Sequence, residues 1–527
     1  MLTFFTFSPV LSLFLFHPSP LFSFLPFSLL LSSLPLLSFF FLLPLLLPPP
    51  PPFLPPPFSI FLAVGSDPRL HTPDGLAKFE KACAKAGAKL VACEDNPLDA
   101  VWADQPPPPA APVVPHDLAF AGKSAVEKRH ALAADLKKQN VGAAVLTAPD
   151  SIAWLLNIRG GDVDHTPLAL CFAILHADNQ DTGSVDLFLD PAKGSEALDV
   201  HLGPDVSRHP PGELGAALDR LAAVGKKILL DPAHSAAWFF DRITAAGGKI
   251  ERAADPCQLP KACKNDIELE GMRAAHLRDG ASLVTFLAWL ARTAPQGGLT
   301  EMAVAEKLES LRAGNDRFMD LSFPTISGSG PNGAIVHYRA TPENDRELTP
   351  GDIYLLDSGA QYRDGTTDVT RTVFIGGAVY GENGATPTPQ QRDHFTRVLQ
   401  GHMAIATACF PQGTRGGQLD TLARGPLWRA GLDFDHGAGH GVGSYLGVHE
   451  GPQRMGKLGG GAVLAAGMVL SNEPGYYKAG AYGIRIENLL AVTSAPAIKG
   501  AERAMLTFET LTLAPIDRTA IAADLLT

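Results

Sequence analysis

Ile353-Tyr-Leu-Leu-Asp-Ser-Gly-Ala-Gln-Tyr-Arg-Asp-Gly-Thr-Thr-Asp-Val-Thr-Arg-Thr-Val-Phe374 contains two apolar, β-prone runs around the turn-forming stretch Tyr362-Arg-Asp-Gly365, so it reads as a β-hairpin. Each run carries one isolated aspartate, Asp357 and Asp368. With the turn centred between Tyr362 and Arg363, Asp357 lies opposite Asp368, and cross-strand neighbours bring their β-carbons to about 5 Å on one face. Two carboxylates so close, in apolar surroundings, repel unless a cation sits between them. The alternative is that one or both are exposed turn or cap residues.

Downstream, His436-Gly-Ala-Gly-His440-Gly-Val-Gly-Ser-Tyr-Leu-Gly-Val-His449-Glu-Gly-Pro452 places three histidines within 14 residues. Its glycines oppose helix and admit close backbone approach, while neutral imidazole is both a metal ligand and a proton carrier. The phosphate-loop pattern GxxxxGK[ST] is absent, and the glycine spacing does not fit a dinucleotide fingerprint. Glu473, in Ser-Asn-Glu-Pro-Gly-Tyr-Tyr477, and Glu487, in Gly-Ile-Arg-Ile-Glu-Asn488, are isolated acids among apolar neighbours. Glu473 also suits a turn, and Glu487 a salt bridge to Arg485. Taken together, four carboxylates and a histidine make an oxygen-rich set suited to two divalent ions, of the manganese, cobalt or iron kind. Two metals with a water between them imply hydrolysis.

The chain around these motifs has 527 residues, 43 basic and 54 acidic, for a net charge of -11. That length predicts several domains, and the charge argues against a nucleic-acid surface. The cysteines Cys83, Cys93, Cys171, Cys257, Cys263 and Cys409 show no CxxC or Cys/His zinc spacing, and read as free thiols in a reducing, cytoplasmic setting. Residues 1–66 carry no Asp, Glu, Lys or Arg and hold half of the 28 phenylalanines. Proline interrupts this leader too often for a membrane span, and neither a basic n-region nor a clear cleavage site marks a secretory signal. It reads as a low-complexity leader, foreign to the fold or unstructured, so that membrane attachment is not expected unless the leader is genuine.

Past the leader, residues 67–115 offer a helix from Gly75, a short strand from Lys89 and a proline-rich linker. Residues 116–263 alternate helices and strands as an α/β domain. From 264 to 527 helices alternate with paired strands in an α+β pattern, with strands expected at Ile353–Gln361, Thr366–Ile375, Met468–Ser471 and Gly483–Val492. Asn265, Thr300 and Thr388 read as N-caps, the first and last with a capping-box partner three residues on.

These motifs, in this order, resemble the Xaa-Pro aminopeptidases of the pita-bread metallopeptidases, in their three-domain cytosolic type. The resemblance also covers Leu321-Ser-Phe-Pro-Thr-Ile326, Val336-His-Tyr338 and, in the middle domain, Ile152-Ala-Trp-Leu-Leu-Asn-Ile-Arg-Gly-Gly-Asp-Val-Asp-His165. It implies a creatinase-like middle domain followed by a pita-bread catalytic domain. It also implies a metal set of Asp357, Asp368, His440, Glu473 and Glu487 holding two divalent ions, Mn2+ foremost. His337, His436 and His449 resemble the family's substrate and proton-handling histidines, Arg485 its nearby arginine, and Glu473, His449 and His337 are the catalytic candidates. The implied substrate is a peptide with proline in second place; a homodimer is a further expectation.

The first domain looks truncated, with 67–115 its remnant, so an arginine that the cytosolic type carries there has no counterpart to assign. The C-terminal extension usual in that type is also expected to be missing. Rival readings are a prolidase-type dipeptidase with the same metals, a methionine aminopeptidase, which has no need of a domain like 116–263, and a non-catalytic peptide-binding module of the same fold. A chain too truncated to fold is the remaining alternative.

Overall fold

The computed structural model describes residues 2–4, 62–177, 182–376 and 385–526. The expectation for the leader therefore lies almost wholly outside the described residues. The chain divides into two compact units, one formed by Met1–Pro106 with Ala236–Trp238, the other by Pro107–Ser235 and Phe239–Thr527.

In the first unit, strand Leu62–Ser66 pairs in parallel with Ala88–Ala92, and helix Pro73–Lys85 connects them. Thr72 caps that helix by accepting from the Gly75 amide. None of the helix's side chains is buried, so capping rather than packing is what its own sequence contributes.

The second unit begins with a six-stranded mixed sheet in the order Lys249–Arg252, Lys227–Leu230, Val141–Leu146, Phe172–His176, Val185–Phe188 and Val206–His209. Helix Ala125–Lys138 starts at a Ser124/Glu127 capping box. Its Leu132 and Leu136 pack with Leu146, Leu155, Leu175 and Leu187 in one apolar core.

After Asn265, which caps a 28-residue helix, Asp266–Thr293, come two larger β elements. One is the antiparallel sheet Ile326–Ser329, Ile353–Ser358, Val369–Phe374. Its core side packs on helices Asp266–Thr293 and Glu301–Ala313 through Phe286, Leu290, Val304, Leu308, Tyr354 and Leu356. The other is a six-stranded sheet ordered Cys409–Pro411, Met505–Thr510, Asn488–Ser494, Val469–Asn472, Gly439–Gly441, Glu450–Met455. Helices Pro389–Ala406 and Gly416–Trp428 cover it with Phe395, Val398, Leu419 and Leu427.

The hairpin forms with a different register from the expected one. Asp357 pairs with Thr370, and Tyr362 with Gly365, so the turn centres between Arg363 and Asp364, one residue later than the sequence reading put it. Partners shift by two, which keeps the same face, and Asp368 lies just before strand Val369–Phe374. Three expected strands are also broken. Thr366–Ile375 gives way to Gly365–Thr366 and Val369–Phe374, with Asp368 between them. Ile353–Gln361 divides at Gly359, where an added Cβ would stand 2.0 Å from the Thr367 carbonyl oxygen. Gly483–Val492 divides into Tyr482–Arg485 and Asn488–Ser494, with Glu487 at the break.

Candidate functional site

Three carboxylates form a buried floor: Asp357 from the central strand of the smaller sheet, Asp368 from the break between strands Gly365–Thr366 and Val369–Phe374, and Glu487 from the break between Tyr482–Arg485 and Asn488–Ser494. His440, in strand Gly439–Gly441, and Glu473, just past strand Val469–Asn472, stand half-buried beside them. His440 Nε2 is 3.5 Å from Asp368 Oδ2 and 3.6 Å from Glu473 Oε1. One ligand atom each from Asp368, His440 and Glu487 all lie within 4.8 Å of one another.

Local sequence explains how two sheets bring these five side chains to one place. Gly439 and Gly441 permit the approach of neighbouring strands, because a Cβ on either would lie 2.1 Å from a carbonyl oxygen, of Ser471 or Glu450 respectively. Ser471 Oγ accepts from the His440 amide at 3.0 Å and donates to Glu473 Oε1 at 3.1 Å, tying the two groups together. His440 Nδ1–H donates to the Gly441 carbonyl at 2.9 Å. That bond makes Nδ1 a donor and turns Nε2 towards the carboxylates.

Electrostatics mark the site as built for cations. Burial, with the charges of Asp357 and Glu473 added to it and only partly offset by His440, pushes the Asp368 carboxyl up to about 7. Burial and the Asp368, Asp357 and Glu473 charges likewise raise Glu487 well above the carboxylate range. For His440 burial works against the proton, but Asp368 and Glu473 outweigh it and hold the imidazole up to about 9. Asp357 Oδ1 is buried with no hydrogen-bond partner among the described residues. An orphaned carboxylate oxygen among repelling acids fits divalent ions.

Arg485 turns to Asp357 rather than Glu487: its Nη2 donates to Asp357 Oδ2 at 2.7 Å, Nε to Thr370 Oγ1 at 3.0 Å and Nη1 to Tyr477 Oη at 2.7 Å. Tyr477 in turn donates to His436 Nε2 at 2.9 Å, and His436 Nδ1–H donates to the Gly437 carbonyl at 2.7 Å. The Thr370 hydroxyl donates to Glu487 Oε2 at 2.7 Å. His449 is exposed, edge-on to the His440 ring at 4.3 Å between centroids, and His337 is exposed too, close enough for its charge to act on His449. Acids thus line the bottom and histidines the mouth.

Sequence reasoning missed Thr370, Tyr477 and Glu301 as individual contributors. Tyr477 stands inside a motif singled out for Glu473, whereas Glu301 looks like an ordinary first-turn acid. Glu301 is buried, and it accepts from the Ser329 amide at 2.6 Å, Asn332 Nδ2 at 3.1 Å and Tyr338 Oη at 3.0 Å. It so anchors the segment that carries His337.

Residues 270–494 match metallopeptidase family M24, and residues 104–268 match the creatinase/prolidase N-terminal domain. A probable Xaa-Pro aminopeptidase P of Aspergillus niger is 41% identical over 88% of this chain and 75% of its own length. Aminopeptidase P2 of Arabidopsis thaliana is 39% identical over 88% and 68%. The crystal structure of an X-prolyl aminopeptidase from Caenorhabditis elegans, described as a cytosolic enzyme with a di-nuclear active site, superposes with a TM-score of 0.81 at 38% identity, covering 89% of this chain and 74% of that one. A creatinase-like domain followed by a pita-bread domain is the fold, and the chain belongs to the Xaa-Pro aminopeptidase P family of M24 metallopeptidases.

Proposed function

We propose that this chain is a metal-dependent aminopeptidase that removes the N-terminal residue from peptides with proline in second place. The observation that carries the chemistry is the convergence of Asp368, His440 and Glu487 within 4.8 Å, with Glu473 beside His440 and Asp357 Oδ1 buried without a hydrogen-bond partner among the described residues. Asp357, Asp368, His440, Glu473 and Glu487 would hold two divalent ions, and the oxygen-rich set favours Mn2+ over a thiolate-bound metal. Such ions supply Lewis acidity: a nucleophile from water at neutral pH and polarisation of a carbonyl.

The remaining work belongs to side chains. Glu473, half-buried and close to His440, is placed to take a proton from attacking water and return it to the proline nitrogen as that leaves. His449 and His337, at the mouth, offer N–H groups to the carbonyl oxygen as it gains charge. The Arg485–Tyr477–His436 chain holds His436 Nε2 as an acceptor. A tertiary amide before proline lacks the N–H that a general exopeptidase would recognise, which suits a dedicated enzyme. Free thiols at all six cysteines and the cytosolic description of the nematode relative support a cytoplasmic location. Among the described residues no helix is long and apolar enough to cross a membrane. Residues 116–263 and 264–527 serve as its middle and catalytic domains, and a homodimer is the assembly we propose.

The full chain, loaded with Mn2+, is expected to release the first residue from an Xaa-Pro-Yaa tripeptide faster than it splits an Xaa-Pro dipeptide. Chelator and Glu473→Gln should each abolish release. A preference for the dipeptide would transfer the chain to the prolidase reading; a folded, metal-loaded but inert protein would favour a binding module.

A further inference from the structure

The loop between His440 and His449 is held from outside the catalytic sheets. Tyr445 sits there at φ +49°, a left-handed conformation that costs a non-glycine residue free energy and needs surroundings to impose it. Arg159 of the middle domain imposes it. Its side chain is buried, its Nε donates to the Tyr445 carbonyl at 2.6 Å and its Nη2 to the Ser444 carbonyl at 3.2 Å. The remaining nitrogen, Nη1, donates to the Ala153 and Ile158 carbonyls at 3.3 and 2.9 Å, fixing the fork to its own domain. The next residue, Leu446, is buried in the middle-domain core, and its carbonyl accepts from Gln361 Nε2 at 2.7 Å.

The other end of the segment is gripped as firmly. Glu450 pairs with Lys261 at 2.8 Å and Lys264 at 2.6 Å, and Lys261 also pairs with Asp150 of the middle domain at 2.9 Å. Between these anchors stands His449. Among the described residues its ring nitrogens have no hydrogen-bond partner, so the backbone on either side is what aims the ring.

We propose that Arg159 is a positioning residue for catalysis: this middle-domain guanidinium sets His449 against the carboxylate cluster through the strained Ser444–Leu446 turn. The inference rests on reading His449 as a group that faces the substrate. A planar fork with two donors on successive carbonyls fixes both position and direction, which a single ammonium cannot.

A double-mutant cycle on the metal-loaded full chain, with kcat, KM and bound metal measured, tests it. Arg159→Gln is expected to lower kcat by about 100-fold, the scale of a reacting group displaced by about 1 Å. KM and metal content should hardly change, and Arg159→Lys should fall between. Placed on a His449→Ala background, Arg159→Gln is expected to add less than about a two-fold further loss, because the group it positions is gone. Independent, multiplicative losses in the double variant would overturn the proposal, as would a kcat that falls only in step with lost metal. If Arg159→Gln does not fold, the cycle runs on Arg159→Lys; if neither folds, the guanidinium is a folding determinant and the proposal is overturned. Full activity in His449→Ala would overturn it as well, while leaving the aminopeptidase reading to the Glu473→Gln result.

Discussion

Asp357 uses its two carboxylate oxygens differently: Oδ2 accepts from Arg485, and Oδ1 has no partner although it is buried. A carboxylate with one oxygen restrained and the other free is pre-aimed, so a cation meets a ligand that need not reorganise. Without a cation, the ionised forms of Asp357, Asp368 and Glu487 oppose one another in a desolvated floor, which is why Asp368 and Glu487 hold their protons more tightly than ordinary carboxyls. Asp368→Asn removes one of the repelling charges. In excess chelator the variant should melt above the wild type, by about 1–2 °C for each kcal/mol relieved. The rise in melting temperature that Mn2+ gives the wild type should vanish in the variant. Both halves are read by thermal unfolding with and without metal, and a variant destabilised in chelator would contradict the repulsion argument. Residue types were the legible part of this site, since an isolated acid in an apolar strand announces its cost. What each acid touches was not legible: the hairpin register came out two residues off, and Arg485 chose Asp357 over its sequence neighbour Glu487.

His402 shows how elements are tied together behind those side chains. It lies on helix Pro389–Ala406, where Nδ1–H donates to the Asn472 carbonyl at 3.1 Å and Nε2 accepts from Asn488 Nδ2 at 3.2 Å. Asn472 Nδ2 returns a bond to the His402 carbonyl at 2.9 Å. One helix residue thus braces the two strands whose ends carry Glu473 and Glu487. Burial, with the Arg371 charge nearby, lowers the imidazole to about 4. The unfolded chain, at the ordinary value near 6.5, binds more protons between these limits. The native state therefore keeps its full stability above about pH 6.5 and loses up to about 3 kcal/mol as pH falls towards 4. His402→Gln should flatten that part of the plot of unfolding free energy against pH, and an unchanged slope would sink the assignment. Gly439→Ala makes a different demand, since its Cβ would meet the Ser471 carbonyl oxygen at 2.1 Å; loss of bound metal is the expected reading. Helix starts at Asn265, Thr300 and Thr388 were legible because capping chemistry is local. The breaks at Gly359 and at Ile486-Glu487 were not, because tertiary packing and the turn of Glu487 into the site make them, and alternation along the strand carries no mark of either.

Asp150, Lys261, Lys264 and Glu450 join middle domain, connecting segment and histidine loop in one buried cluster. Both lysines and Glu450 are almost wholly buried, and the partners lie up to 300 residues apart in sequence, at 150 and 450. A boundary near Lys264 could be read from the cap at Asn265, but the charges that close across it could not, because no local pattern links such distant positions. Burial disfavours the Lys261 charge, yet Glu450 and Asp150 more than compensate and hold the ammonium above the ordinary lysine range. A paired cluster of this kind contributes little compared with apolar packing, whereas removing one partner is costly because the rest stay buried and charged. Glu450→Gln leaves two ammoniums facing a neutral amide, with Asp150 the remaining anion. The expected cost is about 3–5 kcal/mol, a fall of about 3–6 °C in melting temperature for a unit of this size. Since the cluster ties the middle domain to the catalytic domain, the single calorimetric transition expected of the wild type should broaden or split in the variant. Glu450→Gln with Lys264→Met, which removes one of the stranded charges, should recover part of the loss. Equal melting temperatures for Glu450→Gln and wild type would show that these charges are hydrated and do not couple the two domains.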